Sequence, residues 1–429
     1  MTARTILVRG GTVVDATGSR PADVLIDGLH IQAVAEGLEV PAGATVLDAG
    51  GCVVAPGLVD LHTHLREPGR EEAETVETGA RAAALGGFTA VVAMPNTEPP
   101  IDSAAAVREV LGLGLAAMCD VRVAGAITKG RLGRELAPLG EMADLGVRLF
   151  TDDGSGVQDA RLMRRALEYA SALGVVLGQH CEDAVLAAGG HMHEGEWSSR
   201  LGIPGMPAEA EEVMVGRDIA LARLTGGRVH FLHLSTAGSV EAVRAAKAEG
   251  LAVTAEAAPH HFSLTDAVVA SYDTVFKVNP PLRPASDVEA VKAGLADGTI
   301  DAIATDHAPH APEDKDVPFD HARPGMLGLE TALALALTEL DLPIERVLAL
   351  LSWQPARIAG LESSHGGPVA EGRPANLCVI DPATAWVVDP GALASRSRNT
   401  PYGGRKLTGR VRHTVLRGEP VVVDGEAQR

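Results

Sequence analysis

The feature that most narrows the fold is a regular alternation through the middle of the chain. Eight short apolar or β-branched runs occur there: Cys52–Leu61, Thr89–Met94, Val121–Ile127, Val147–Phe150, Val175–Gln179, Val229–Leu234, Leu251–Glu256 and Thr299–Thr305. Ala/Leu-rich stretches of helical pattern lie between them, as in Ala73–Leu85 and Arg161–Leu173. Eight strand–helix units in succession predict a (β/α)8 barrel. In that fold, chemistry sits at the carboxyl ends of the strands, so those ends decide the function.

The flanks read differently. Thr5–Val8, Thr12–Val14, Val24–Ile26, Ile31–Val34 and Thr45–Leu47 are strand-like, punctuated by Gly10-Gly11, Asp27-Gly28 and Gly50-Gly51, with no helical segment between them. Asn376–Ile380, Val411–Leu416 and Pro420–Val423 repeat the pattern, with Arg417-Gly418 and Asp424-Gly425 as turns. The expected organisation is a catalytic barrel over 56–363 and one small composite β-sandwich made by 1–55 and 364–429. At 429 residues the chain is long enough for both. Only 3% of residues are aromatic, so aliphatic and alanine packing must fill the interior.

Charge and cysteine usage exclude several classes. The net charge is −19 and no Lys/Arg run occurs, which argues against nucleic acid as a partner. An acidic chain can still bind a small acid, but only through individual cations. The four cysteines, Cys52, Cys119, Cys181 and Cys378, are scattered and form no CxxC pair, so a reducing, cytoplasmic setting is expected rather than a disulfide framework. The opening MTARTILVRG lacks the apolar core of a signal peptide, and no apolar stretch of about 18 residues predicts a membrane span.

The strand ends carry metal-binding chemistry. The first run ends in Asp60-Leu61-His62-Thr63-His64, and residues i and i+2 of a strand face one side, so His62 and His64 can share a metal. The fifth run ends in Gln179-His180-Cys181-Glu182-Asp183, the sixth in His233-Leu234-Ser235, and the eighth in Asp306-His307-Ala308-Pro309-His310. A lone His180 or His233 is as readily a hydrogen-bonded rim residue as a ligand. Four strands aiming such donors at one opening make a metal the stronger reading, and mixed imidazole and carboxylate donors suit zinc. The fourth run leads into Thr151-Asp152-Asp153-Gly154, whose carboxylates can bridge two metals or simply form a turn and helix cap.

These segments closely resemble the dihydroorotase family of the amidohydrolase superfamily. Asp60-Leu61-His62-Thr63-His64-Leu65-Arg66-Glu67-Pro68-Gly69 is similar to its first signature. Ala304-Thr305-Asp306-His307-Ala308-Pro309-His310 followed by Lys315 is similar to its second. Met94-Pro95-Asn96-Thr97, His180-Cys181-Glu182-Asp183 and Asn279-Pro280-Pro281-Leu282-Arg283 match in order, so the resemblance spans essentially the whole chain. It implies two Zn2+ per chain, with His62, His64 and Asp306 at one and His180 and His233 at the other. Many superfamily members bridge the pair with a carboxylated lysine. Here the segment reads Val147-Arg148-Leu149-Phe150, and an arginine stays protonated and forms no stable carbamate. That departure argues against a hydantoinase or allantoinase and fits an aspartate bridge. Strand alternation from Arg148 favours Asp152, but the strand has ended by then, and the family match selects Asp153.

The resemblance further implies reversible opening of (S)-dihydroorotate to N-carbamoyl-L-aspartate, in pyrimidine biosynthesis. Arg66, Asn96 and His310 are the candidates for the substrate carboxylate, Asn279 for the ring amide, and the backbone of Pro324 and Gly325 for the ring; His64 lines the same site. For Arg66 the competing reading is a rim salt bridge to Glu67 or Glu71. A zinc-activated hydroxide attacks the ring carbonyl, and Asp306 takes the proton and returns it to the leaving nitrogen. Ser235 and Cys181 have no evident base triad. His260 and His261 are expected to support the site rather than ligate, and Asp314 and Lys315 belong to a polar loop that either covers the site or is simply solvated. A homodimer and a complex with aspartate transcarbamoylase both stay open as partner expectations. So do two other readings of the chain: a cyclic amidase of another specificity, and a non-catalytic scaffold.

Overall fold

The computed structural model describes residues 5–429; residues 1–4 of the expected terminal domain lie outside them. All eight expected barrel strands form: Leu58–Thr63, Phe88–Ala93, Asp120–Val123, Leu149–Thr151, Val176–Gln179, Val229–Phe231, Val253–Ala257 and Ala302–Ile303. Their pairings are parallel and follow chain order, the first three strands in one sheet and the last five in another. Two single parallel bridges join the sheets into a ring: Gly125 to Phe150 between strands three and four, and Thr63 to His307 between strands one and eight.

The helices between the strands have local reasons to start and stop. Thr75, Ser103, Asp159 and Thr236 each accept a hydrogen bond from a first-turn amide, capping the helices Val76–Leu85, Ala104–Leu113, Ala160–Leu173 and Ala237–Ala248. Gly174 and Gly226 end two helices in the left-handed conformation that favours glycine. The helices bury small and aliphatic residues against the outside of the barrel, with Phe88, Phe150, Phe231 and Phe262 among the largest fully buried side chains.

The run Cys52–Leu61, read as one barrel strand, is in fact two. Val53–Pro56 pairs antiparallel with Leu377–Val387 in the terminal sheet, and the barrel strand begins at Leu58. Gly57 is the hinge between them. A Cβ there would fall 2.1 Å from the Thr89 side chain, so no other residue fits the crossing point.

Both termini build one nine-stranded sheet. Thr5–Val8 and Thr12–Val14, expected as separate strands, are a single strand Thr5–Asp15 with a register shift between Val8 and Gly11. Its first half pairs with Thr45–Asp48 and its second with Val53–Pro56. Buried residues from both halves, among them Ile6, Val13, Val24, Leu47, Val379 and Val415, share one apolar cluster separate from the main barrel core. Between the long strands Leu377–Val387 and Lys406–Leu416, the chain leaves this sheet and runs against the barrel. Ser397 Oγ there donates to the Ala73 carbonyl at 2.6 Å. No helix among the described residues is long and apolar enough to cross a membrane.

Candidate metal centre and substrate cleft

The carboxyl ends of the strands meet at a cleft of about 350 Å3. Of the residues singled out in the sequence, His64, Arg66, Asn96, Asp153, His180, His233, Asn279, Asp306, His310, Pro324 and Gly325 all line it. His62 lies fully buried in the same cluster, 3.4 Å from the Asp153 carboxylate.

Asp60 explains why the first and eighth strands arrive in register. Its buried carboxylate accepts from the Thr305 amide at 2.8 Å and from the Thr305 and Thr63 hydroxyls at 2.5 Å. The bond from His64 N to His307 O, at 2.8 Å, adds a second tie across the same seam. His62 and His64 then point together, as strand alternation requires.

Asp153 is the centre of the arrangement. One carboxylate, 2% exposed, lies 3.4 Å from His62 Nε2, 3.6 Å from His64 Nε2, 3.5 Å from His180 Nδ1 and 3.5 Å from His233 Nε2. Two triads that could each hold an ion share it: His62–His64–Asp153 and Asp153–His180–His233. The neighbouring Asp152 faces elsewhere. It accepts from the backbone amides of Ile127 and Thr128 at 2.9 and 3.0 Å and from the Thr128 hydroxyl, so it ties the third barrel loop to the fourth. Asp306 Oδ1 stands 3.2 Å from His64 Nε2 and 3.5 Å from His62 Nε2.

The surrounding hydrogen bonds set the imidazole tautomers. His62 Nδ1 pairs with Glu256 Oε1 at 2.9 Å, and His64 Nδ1 pairs with Asn96 Oδ1 at 2.9 Å. Each acceptor is an oxygen, so Nδ1 carries the proton and Nε2 presents its lone pair to the centre. His62 Nε2 and Asp153 Oδ1 are buried without a hydrogen-bond partner among the described residues. A cation between them satisfies both. The electrostatics agree. Burial opposes protonation of His180, yet the Asp153 and Glu182 carboxylates outweigh it and push its pKa up to about 10. Burial disfavours the charged form of Asp153 as well, but the imidazoles hold its carboxyl well below the usual range. The cluster is built for positive charge at its middle.

Two of these residues sit in a backbone conformation that costs non-glycine residues about 1–3 kcal/mol: His233 at φ 32° and Asp306 at φ 46°. Glu211, buried on the helix Glu209–Thr225, holds the turn after His233 by accepting from the Ser235 and Thr236 amides at 3.1 and 3.2 Å. Ser235 also gives its hydroxyl to Glu211, and the buried Cys181 thiol is pushed well up by burial. Neither is prepared as a nucleophile.

The other wall of the cleft is cationic. Arg66 is only 9% exposed and donates from Nε to Pro309 O at 3.1 Å, with Nη2 3.5 Å from His310 Nε2. Among the described residues no carboxylate lies within 4 Å of it. Glu67 caps Val76 N instead and Glu71 takes Gly69 N, so the rim salt bridge does not form. Burial, and then Arg70, lower the Arg66 pKa to about 10, which leaves it charged at neutral pH. Asn96 spends its oxygen on His64 and keeps its amide N–H groups for the cleft. His310 is brought to the wall with Nε2 2.7 Å from Pro324 O. Asn279 donates to Glu182 Oε2 at 2.8 Å while its own Oδ1 is buried and unpartnered.

His260 Nε2 stands 3.9 Å from Asp306 Oδ2, and His261 Nε2 is 3.0 Å from Pro280 O, so the pair borders the centre. Arg148 folds back on the carbonyls of Ala143 and Val147 at 2.9 and 3.0 Å, at the amino end of its strand. Asp314 joins Arg70 and Arg323 at 2.5 and 3.1 Å, and Lys315 Nζ donates to the carbonyls of Thr274, Lys277 and Arg323, which fastens the loop down. Sequence reasoning missed Arg70, Arg131 and Arg323 at the mouth of the cleft, and Glu256 behind His62. Glu256 ends the seventh run and Arg70 follows the first signature directly, whereas Arg131 and Arg323 lie outside every motif and only the folded barrel brings them there.

Comparison with known proteins agrees with this geometry. Residues 51–239 match the family model described as Dihydro-orotase-like. The chain is 53% identical to the dihydroorotase of Streptomyces coelicolor, over 98% of this chain and 99% of that one. It is 52% identical to the dihydroorotase of Pelotomaculum thermopropionicum, over 98% and 99%. Among solved structures it is similar to L-hydantoinase (dihydropyrimidinase) from Arthrobacter aurescens, with TM-score 0.89 at 26% identity over 99% of this chain and 97% of that one. It is also similar to D-hydantoinase (dihydropyrimidinase) from a Thermus species, with TM-score 0.84 at 26% identity over 98% and 96%. The likeness to hydantoinases is one of architecture at low identity, whereas the sequence match to dihydroorotases runs end to end at about twice that identity. With a full-length match of that strength and an aspartate at the centre of four imidazoles, the chain belongs to the dihydroorotase family.

Proposed function

We propose that this protein is a two-metal dihydroorotase: it opens the ring of (S)-dihydroorotate to N-carbamoyl-L-aspartate and closes it again. The observation that carries the reading is the pairing, in one cleft, of a buried guanidinium without a carboxylate partner and a carboxylate ringed by four imidazoles. The first suits an acidic substrate and the second suits metal-assisted hydrolysis.

His62, His64 and Asp306 would hold one ion, His180 and His233 the other, with Asp153 shared. The imidazole and carboxylate donor set suits zinc. Bound metal would supply a water of lowered pKa and polarise the ring carbonyl. Asp306 would take the proton of the attacking water and return it to the ring nitrogen as the amide bond breaks. Its Oδ2 lies 3.9 Å from His260 Nε2, beyond hydrogen-bond distance. Arg66 and the free N–H groups of Asn96 bind the substrate carboxylate; Asn279 and the backbone of Pro324 and Gly325 hold the ring, and His310 fixes Pro324. In the reverse direction the same groups close carbamoyl-aspartate with loss of water.

A role in pyrimidine biosynthesis and a cytoplasmic setting belong to this reading. Four free, buried cysteines suit a reducing compartment. The barrel is assigned to 56–363 and the second domain to 1–55 and 364–429, with the terminal-sheet strand Val53–Pro56 running one residue past that boundary. A homodimer and a complex with aspartate transcarbamoylase are the partner hypotheses, to be read by sedimentation alone and with that enzyme. The activity is tested by assaying metal-analysed protein with dihydroorotate, carbamoyl-aspartate, hydantoin and allantoin. Ring opening confined to dihydroorotate is expected; preference for a neutral ring would move the assignment to another cyclic amidase.

A further inference from the structure

Between the two long C-terminal strands, residues 393–400 cross to the barrel as a strap that bends at 394–396. Leu393, Ser395 and Ser397 are buried while Ala394, Arg396 and Arg398 are better exposed, and the strap ends in the buried pair Asn399 and Thr400. Ala394 N bonds Glu330 at 2.8 Å, and Arg396 N bonds the fully buried Glu74 at 2.9 Å, with the Ser395 hydroxyl on the same carboxylate. The strap ends at the cleft. Asn399 Nδ2 donates to Ala308 O at 3.0 Å and to Gly325 O at 3.1 Å, and Asn399 Oδ1 accepts from His310 N at 3.1 Å. Only one orientation of the amide satisfies two carbonyls and one N–H, and it is the orientation present.

These three backbone atoms belong to two segments that also pair directly beside the cleft, where Ala308 N donates to Met326 O at 2.7 Å. One carries His310, and the other carries Pro324-Gly325. Gly325 sits at φ 144° with no space for a Cβ, which would fall 2.7 Å from His310 Nε2 and from Ala308 Cβ. Gly325 has no side chain, so beyond the His310 imidazole on Pro324 O its carbonyl depends on the Asn399 amide. We infer that Asn399, supplied by the C-terminal strap, is a positioning residue that sets the distance between the His310 and Gly325 backbones and so determines the affinity for the substrate ring. The inference rests on the proposed reading of the cleft. It makes the terminal region part of the substrate site, since the barrel segments alone leave the Ala308 and Gly325 carbonyls and the His310 amide without this partner.

The test uses the full chain with Asn399→Asp and Asn399→Ala. Aspartate keeps the shape and the acceptor but loses both N–H donors and sets a charge against two carbonyls, so it separates hydrogen bonding from packing. Ring contacts are made in the ground state and the transition state alike, so their loss appears in KM. The expected result for both variants is a KM for dihydroorotate raised roughly tenfold, kcat within about threefold, and unchanged metal content per chain. Faster amide exchange in the peptides covering 306–311 and 322–327 should accompany it. Ser395→Ala, which loosens the strap at Glu74 and leaves Asn399 in place, should raise KM two- to threefold with kcat held, and serves if the Asn399 variants do not fold. Wild-type kinetics in Asn399→Asp, or lost metal with unchanged KM, overturns the inference. Wild-type protein that fails to open dihydroorotate overturns the functional reading instead, and the exchange measurement then still reports whether Asn399 holds the two segments.

Discussion

Replacing Arg66 with methionine removes the one buried cation of the cleft that has no carboxylate partner while keeping much of its length and apolar stem. The protein carries a net charge of −19, so an anionic substrate gains no general attraction and depends on local cations. Arg66 uses Nε on Pro309 O, and its Nη2 reaches only His310 at 3.5 Å, so the fork is available to a ligand. Loss of a charge-assisted bond to a desolvated carboxylate costs about 1.5–3 kcal/mol. Catalytic efficiency with dihydroorotate should therefore fall roughly 10- to 150-fold. The assay is steady-state ring opening, with the carboxylate-free ring dihydrouracil as a competitive inhibitor of both proteins. Its inhibition constant should be nearly the same for wild type and variant. Equal losses for the charged and the neutral ring would refute the reasoning and make Arg66 a support of the fold or of the metals.

Asp306→Asn should keep its coordinating oxygen but lose the proton relay, so turnover should fall roughly 10²–10⁴-fold in both directions in protein whose metal content is verified. Glu256→Gln weakens the acceptor that fixes the His62 tautomer; metal affinity, measured by competition with a chromophoric chelator, should fall about tenfold or more. Burial, and then Glu74, push the Glu330 carboxyl up from its ordinary 4.5 to about 7 against the bonds from Ala394 and Ser395. With a raised pKa the folded state holds the proton longer than the unfolded chain, so this group makes stability fall as pH rises from about 4.5 to 7 and leaves it flat above. Glu330→Gln should thus melt higher than wild type at pH 8, by on the order of 1–3 kcal/mol, with the advantage vanishing toward pH 4.5 in thermal scans.

The sequence carried the barrel well because each strand is a compact β-branched run set off by a helical stretch of different period, and the metal-binding side chains sit at the ends of those runs. It carried the seam at Gly57 poorly. Val53–Pro56 and Leu58–Thr63 are both buried and apolar, so nothing in the local pattern shows that the chain changes sheets; the constraint is Thr89, on the next strand. Strand alternation could not separate Asp152 from Asp153, and only the family match selected Asp153, because alternation fails once the strand ends at Thr151 and the amides that claim Asp152 come from Ile127 and Thr128. Asn399 lies in no motif, and Glu256 has only its place at the end of the seventh run. Their roles come from contacts 74 and 194 residues away in the chain, to Gly325 and His62, and such contacts leave no periodic trace.

The central claim is that dihydroorotate is opened at a centre of two metals shared by Asp153. It is tested most directly by stripping the protein with a chelator, confirming that metal is gone, and following dihydroorotate turnover as zinc is added back in measured equivalents. No turnover is expected without metal, with a rise to a plateau at two equivalents per chain that Asp153→Ala fails to reach. Full activity in metal-free protein, or no turnover of dihydroorotate with two equivalents bound, would contradict the claim.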